Sequence, residues 1–172
     1  MQPMPWFERK FTFGFAPSML PFMTERLEGT IIRIKQKVDN IDDELSSYHF
    51  ENKWSIKQNI GHLMDVDEIS ERRVDEIMEG AKILSRADIQ TQADYNSMPM
   101  RNIVENFSAK RRNNIRRLLE LSEAQLRMTS IHPRLMVPMN AVDLAWFDAE
   151  HDDHHLVRIN QIMEAAKANI SI

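Results

Sequence analysis

The chain contains no cysteine among its 172 residues. This absence excludes disulfide bonds, cysteine-ligated zinc, iron–sulfur clusters and a cysteine nucleophile, so any bound metal must use histidine and carboxylate ligands. Glycine and proline are also scarce, with four and seven residues respectively, whereas the two together make up roughly 12% of an average protein. Tight turns are therefore few, and the composition favours long helices over many short strands.

Long apolar runs and an excess of positive charge are missing as well. No stretch approaches the ~20 apolar residues that cross a bilayer, and charges and prolines interrupt the first ten residues, where a signal peptide needs an apolar core. The formal net charge of −4 gives no electrostatic reason for a nucleic-acid partner. We therefore expect residues 1–172 to form one cytoplasmic domain that binds neither membrane nor nucleic acid.

Residues 1–23 differ in composition from the rest of the chain. They hold four of the seven prolines and five of the eight phenylalanines, with Phe11, Phe13 and Phe15 alternating. Because proline removes a backbone donor and breaks helices, this segment predicts an irregular arm whose aromatic side chains cover the core.

The remaining residues, 24–168, carry apolar residues at the three- and four-residue spacing of amphipathic helices. Thr24 is a candidate N-cap for a first helix over about 24–47. Ser55 and Gln58 form a capping-box pair that predicts the start of a second helix, which reaches about residue 79.

Two further helices follow a connection over residues 80–98, in which Ala81–Ser85 predicts a helical turn. Pro99 suits the first turn of the third helix, and Asn140 with Asp143 can cap the fourth. Four long helices joined by two lengthy connections predict an all-α four-helix bundle.

The fourth helix presents polar side chains on its apolar face. At ~100° per residue, Asp148, His151 and His155 fall within about 60° of one another and point into the bundle. Leaving such groups in an apolar interior costs several kcal/mol unless each finds a partner, and two imidazoles one turn apart can share a cation. His151 with His154 is a less central alternative pair.

His62 lies at the edge of the apolar face of the second helix, where it is a candidate third ligand or, alternatively, a boundary histidine bonded to backbone. The segment from His151 to His155 has the histidine spacing of a zincin HExxH motif but carries Asp in place of Glu. Too few residues follow it for a further ligand on a separate helix, so the sequence argues against a zincin protease. No Glu-x-x-His occurs in the chain, which excludes a di-iron bundle.

Arg111 is the inward member of a basic cluster over residues 110–117, most of which we interpret as a solvated helix face. Two roles remain open for its guanidinium: a buried ion pair, with Asp67 as the candidate partner, or contact with an anionic substrate.

Two motifs resemble those of the DinB superfamily. Residues 53–63, KWSIKQNIGHL, followed by Asp65, resemble the second-helix motif of that family. Residues 149–156, AEHDDHHL, with Arg158-Ile159, resemble its fourth-helix metal motif. The arm sequence WFERKF at residues 6–11 is similar to an extension found in some members.

The resemblance implies a down-up-up-down bundle, commonly a homodimer, in which His62, His151 and His155 hold a divalent metal. Three neutral imidazoles leave an open coordination position, as in catalytic zinc sites, and zinc or nickel is favoured, with iron or manganese also compatible. The family includes thiol S-transferases that use bacillithiol or mycothiol, a glutathione-dependent isomerase relative and members named only for DNA-damage induction. We therefore expect thiol transfer or hydrolysis on a small molecule, with a low-molecular-weight thiol as a candidate partner.

Four further residues are candidates around this site. Asp148 and Asp65 are candidate catalytic residues that orient a ligating ring or act as a base. Arg111 and His154 are candidate substrate-binding residues. The rival hypothesis is a metal-free, dimeric interaction or stress-response bundle in which the histidines are structural.

Overall fold

The computed structural model describes residues 2–87 and 93–170, and four long helices dominate this part of the chain. The long helices are α1 (Leu20–Val38), α3 (Ile56–Met78), α4 (Met100–Leu119) and α6 (Ala141–Ile170). The short elements are α2 (Asp43–Ser47), α5 (Glu123–Leu126), β1 (Ser130–Ile131) and β2 (Pro138–Met139), with 3₁₀ turns at Trp6–Glu8, Pro17–Met19, Phe50–Asn52 and Tyr95–Ser97. The predicted four-helix bundle is confirmed.

The long helices pack in a square in which α1 and α3 each contact both α4 and α6. Between α1 and α6, and between α3 and α4, the residue numbers of contacting side chains increase in the same direction along both helices. Each of these two pairs of helices is therefore parallel. Between α3 and α6 the residue numbers of contacting side chains change in opposite directions, so these two helices are antiparallel. The four long helices therefore follow a down-up-up-down order. The pairs that set these directions are Arg26–Glu150, Lys37–Asn160, Asp67–Arg111, Asp75–Arg117, Asn59–His155 and Ser70–Asp148.

The predicted boundaries of the first helix are wrong at both ends. The helix begins at Leu20 rather than Thr24 and ends at Val38 rather than at residue 47. Thr24 is buried inside the helix, where its hydroxyl donates to the carbonyl of Leu20 at 3.2 Å. The predicted last turns form the separate α2, because the Asp42 side chain caps a new helix start.

The irregular arm is shorter than predicted, since residues 20–23 form the first turn of α1. Pro21 is tolerated there because first-turn amides have no partner within a helix. The arm aromatics cover the core as predicted and lie against α6. The arm side chains that pack on this core are Trp6, Phe11, Phe13 and Phe15.

The two predicted capping pairs, Ser55 with Gln58 and Asn140 with Asp143, are confirmed. The Ser55 hydroxyl accepts from the amide of Gln58 at 3.1 Å, and the Gln58 side chain accepts from the amide of Ser55 at 3.0 Å. At the start of α6, the amide of Asn140 donates to Asp143 at 3.0 Å and the amide of Asp143 donates to the Asn140 side chain at 2.8 Å. These local bonds fix the starts of the two helices that carry the histidines.

The predicted helical turn over residues 81–85 is wrong. Ile83 instead forms an isolated parallel bridge with Ile131, beside the antiparallel pair of β1 and β2. Its neighbours Lys82 and Leu84 exchange backbone hydrogen bonds with Ile131 at 3.0 and 2.9 Å, so this segment satisfies its polar groups through a distant part of the chain. Pro99 is the N-cap residue of α4 and stands one position before the helix.

Two apolar clusters fill the bundle, and α6 passes from one, at Leu144, to the other, at Ile159. Between them α6 presents Asp148, Asp152 and His155 toward the other helices. Among the helices described, none is long and apolar enough to cross a membrane.

Candidate metal centre

Three histidine rings converge between α3 and α6. His62 comes from α3, His151 and His155 come from α6, and each offers a nitrogen within 4.8 Å of those of the other two. The Nε2 atoms of His151 and His155 are 3.2 Å apart, and nitrogens bound tetrahedrally to one zinc ion at ~2.0–2.1 Å lie about 3.4 Å apart. The donor set and its spacing therefore fit a divalent metal.

The rings are neutral and incompletely hydrogen-bonded. Burial lowers the pKa of His62 to about 4 and holds the pKa values of His151 and His155 well below the ordinary histidine value. Among the described residues, nothing hydrogen-bonds the buried Nδ1 atoms of His62 and His151. A neutral imidazole keeps one lone pair available for a metal, so the cluster has acceptor atoms that protein groups leave unused.

Asn59 fixes the orientation of one ring. Its side-chain nitrogen donates to the carbonyl of Ser55 at 2.8 Å, which turns its oxygen toward Nδ1 of His155 at 2.8 Å. His155 therefore donates from Nδ1 and presents an unprotonated Nε2 to the cluster. Sequence reasoning missed Asn59, although its position one turn before His62 is the signal that could have found it.

Arg111 lies in a separate carboxylate cluster next to the histidines. It is 1% exposed, and its Nε donates to Asp67 at 2.8 Å while Nη2 donates to Asp152 at 3.0 Å. The ion pair with Asp67 that the sequence offered is present, and Asp152 is a second partner that sequence reasoning missed. Contact of Arg111 with a substrate stays a prediction.

The two candidate catalytic carboxylates have different surroundings. Asp148 accepts from the hydroxyl of Ser70 at 2.6 Å, and burial raises its pKa to about 6. Asp65 accepts from the hydroxyl of Tyr95 at 2.5 Å, and burial raises its pKa as well. Only Asp148 shares a cavity wall with His62.

Aromatic rings surround the histidine cluster. The ring of Trp54 lies 4.7 Å from that of His62, and the ring of Trp6, from the arm, lies 5.0 Å from that of His151. His154 is half-buried, with its ring 5.8 Å from Trp6, and it does not line the neighbouring cavity. Its predicted contact with substrate stays a prediction.

A cavity of about 500 Å³ opens beside His62 and His151, within the size range of small-molecule sites. One part of its wall is apolar and the rest is polar, with contributions from the arm, α3, α6 and the segments around β1. Its lining includes Trp6, Val66, Ile69, Ser70, Arg73, Arg86, His132, Arg134, Phe147 and Asp148. Sequence reasoning missed the cavity, because irregular segments without periodicity form much of it.

Comparisons with known proteins support the fold and identify the family of the chain. A model of the DinB superfamily matches residues 26–159. The chain superposes with a TM-score of 0.80, at 15% identity, on YfiT from Bacillus subtilis, described as a probable metal-dependent hydrolase with an unusual four-helix bundle topology. The match covers 92% of this chain and 94% of YfiT. A search of curated proteins finds no match. The family match spans most of the bundle and both histidine segments, and the chain belongs to the DinB superfamily.

Proposed function

We propose that this protein is a metal-dependent enzyme that transfers an electrophilic group of a small molecule to water, as a hydrolase, or to a low-molecular-weight thiol, as an S-transferase. The observation that carries the proposal is the convergence of three neutral histidine rings beside a cavity of about 500 Å³. The description of YfiT as a probable metal-dependent hydrolase is consistent with it.

His62, His151 and His155 are the proposed ligands. A divalent ion held by three neutral imidazoles supplies a Lewis acid with a coordination position open to substrate, water or thiol. Zinc and nickel are the first candidates, and iron and manganese also accept imidazole ligands.

The other proposed site residues bind, orient or move protons. Asp148 lies on the cavity wall, where the Ser70 hydroxyl holds its carboxylate. With a pKa of about 6, this carboxylate can accept a proton from a nucleophile in the cavity. Asp65 supports α3 one turn after His62 through its bond to Tyr95.

Arg111 and His154 have proposed roles at the margins of the site. Arg111 acts through Asp152, which follows the ligand His151 in sequence, and holds that turn of α6 in place. His154 contributes to the aromatic rim beside Trp6, where it can contact a bound molecule.

Metal analysis tests the ligand set. The protein is purified without a histidine tag, and its metal content is compared with those of His155→Ala and of His49→Ala. The second variant removes an exposed histidine outside the cluster, whose ring nitrogens contact Lys53 and Asn96 instead. We expect the wild type and His49→Ala to retain metal and His155→Ala to lose it. Equal metal content in all three proteins would contradict the ligand assignment.

A reaction screen tests the activity. Metal-loaded and chelator-stripped protein are incubated with chromogenic esters, and with an aryl halide plus glutathione, bacillithiol or mycothiol. Turnover that disappears on stripping and returns with metal supports the proposal, and dependence on thiol separates a transferase from a hydrolase. No turnover, together with a melting temperature that chelator leaves unchanged, would favour the rival non-catalytic bundle.

We also propose that the protein is a cytoplasmic homodimer, as is common in the family. Light scattering after gel filtration tests the assembly, with an expected mass of twice the 20.2 kDa of one chain. Fractionation of the source cells tests the location.

A further inference from the structure

Part of the wall of the cavity beside the histidines is positively charged. Arg73, Arg86 and Arg134 line it, and Asp148 is the one acidic residue among its described lining residues. The chain as a whole carries a formal charge of −4, so this concentration of positive charge is local to the cavity. A concave surface with cationic walls attracts anions.

Arg73 is a buried cation without an ion-pair partner among the described residues, where Asp148 and Glu76 act on it only from a longer distance. It is 7% exposed, and no carboxylate of the described residues lies within 4.0 Å of its guanidinium, whereas Arg111 has two. Nη2 donates to the carbonyl of Ser85 at 3.2 Å, and the buried Nε has no partner in the described part of the chain. Burial of an unpaired charge is unfavourable, so the guanidinium has unused capacity to bind an anion.

His132 adds a second donor beside Arg73. The backbone amides of Arg134 and Leu135 donate to its Nδ1 at 3.3 and 3.2 Å. Burial and the neighbouring arginines lower the pKa of His132 to about 4, so the ring is neutral and its proton is on Nε2. That nitrogen lies 3.3 Å from Nη1 of Arg73, so two donors face each other and both need an acceptor.

We propose that Arg73 and His132 form an oxyanion subsite that binds a carboxylate or phosphate group of the substrate, with Arg86 and Arg134 adding positive potential. The substrate class is then a small anionic molecule whose charged group lies here and whose apolar part contacts walls such as Val66 and Phe147. Placement of the reacting group at the histidines rests on the proposed function, but the subsite stands on its own contacts.

Binding of small anions by calorimetry tests the subsite. Benzoate, phenylphosphonate and inorganic phosphate are titrated into metal-loaded and chelator-stripped wild type, with uncharged benzamide as the ligand control. Because charge-assisted hydrogen bonds to a buried guanidinium are strong, we expect Arg73→Gln to weaken binding of at least one anion by about tenfold or more. Preference between benzoate and the phosphorus anions identifies the group that the subsite accepts.

Arg72→Gln is the matched variant, since it removes the same charge one residue away from an exposed side chain that bonds to Ser85 and Glu76. Its anion affinity should equal that of wild type. Arg134→Gln provides a second variant, because Arg134 is exposed, with its guanidinium over the ring of Phe7, and its loss does not threaten folding. We expect it to weaken binding by a few-fold, and it decides the question if Arg73→Gln fails to fold.

The outcomes separate the subsite from the metal site. Anion binding that both Arg73→Gln and Arg134→Gln leave unchanged, or no saturable binding of any of the three anions, overturns the subsite whether or not metal binds. Arginine-dependent anion binding by a protein that takes up no metal supports the subsite and contradicts only the proposed function.

Discussion

The carboxylate cluster around Arg111 and the histidine cluster around His155 share α6, and only in the first is the cationic side chain paired with carboxylates of the chain itself. The guanidinium of Arg111 donates to both Asp67 and Asp152. The histidines instead leave two buried Nδ1 atoms without partners among the residues that the structure describes, and they bring two Nε2 atoms face to face. A buried cluster that is complete in itself stabilises the fold, whereas an incomplete one is suited to a ligand from outside.

The same contrast separates two buried arginines. Arg111 and Arg73 are 1% and 7% exposed, yet Arg111 lies between two carboxylates while Arg73 faces a neutral ring and a backbone carbonyl. Burial alone therefore does not distinguish a structural cation from a ligand-binding cation in this bundle, whereas the identity of the hydrogen-bonding partners does distinguish them.

The largest expected effect comes from breaking the complete cluster. Arg111→Ala leaves Asp67 and Asp152 buried without their cation, and the loss of one partner of a buried ion pair costs about 3–5 kcal/mol. Urea unfolding monitored by circular dichroism measures the change. The control is Arg112→Ala, whose exposed side chain lies 3.5 Å from Glu28 and whose loss should change the free energy of unfolding by less than about 0.5 kcal/mol.

Metal binding to the histidine cluster should have the next largest effect on the free energy of unfolding. At a free zinc or nickel concentration of about 100 times Kd, binding to the folded state alone raises the free energy of unfolding by about 2.7 kcal/mol. The same urea titration, with and without metal, measures it. His155→Ala should show no increase, and an increase that persists in this variant would mean that the ion binds elsewhere.

Loss of the residue that orients one ligand should have a smaller effect. Asn59→Ala removes the acceptor for Nδ1 of His155, and loss of such a supporting bond weakens metal affinity by about 10- to 100-fold. Competition with a chromogenic chelator measures the affinity. Gln58→Ala, which removes a capping bond to Ser55, should lower stability but leave metal affinity unchanged, so equal losses of affinity would contradict an orienting role.

The smallest effect concerns Asp148, the cavity-wall carboxylate that accepts from the Ser70 hydroxyl. Because burial raises its pKa to about 6, the folded chain binds this proton more tightly than the unfolded chain. The contribution of Asp148 to the free energy of unfolding therefore falls as the pH rises from the ordinary carboxyl value through about 6.

Ser70→Ala removes a hydrogen bond to the ionised carboxylate and should raise the pKa of Asp148 further, by the equivalent of about 1 kcal/mol or less. NMR titration of the side-chain carboxyl carbon in metal-free protein measures the change. Ser108→Ala is the control, because the Ser108 hydroxyl donates to a carbonyl of its own helix and its loss should leave the titration of Asp148 where it is. A downward shift in Ser70→Ala would contradict the assigned bond.

The parts of the fold that the sequence predicted are those with local causes. The capping pair of Ser55 with Gln58 and that of Asn140 with Asp143 involve residues three positions apart, so the chain itself contains the signal. The inward direction of His155 follows from helical geometry in the same way. Thr24 misled because a threonine that caps a helix and one that bonds back to the preceding turn are alike in sequence.

The parts that the sequence did not predict depend on distant segments. Asp152 reaches Arg111 across 41 positions, and His132 reaches Arg73 across 59. Neither pair has a spacing that a periodic pattern records. Irregular backbone near β1 places His132, and its orientation depends on two amides of that loop, so only the folded chain reveals the cavity and its positive end.

The aromatic rings around the histidines have a spectroscopic consequence. Trp54 lies 4.7 Å from His62 and Trp6 lies 5.0 Å from His151, so two of the three tryptophans in the chain are neighbours of the same donor atoms. Their native fluorescence is an intrinsic optical probe of that pocket. Quenching of this emission by a paramagnetic ion such as nickel, without any attached dye, would follow loading in real time.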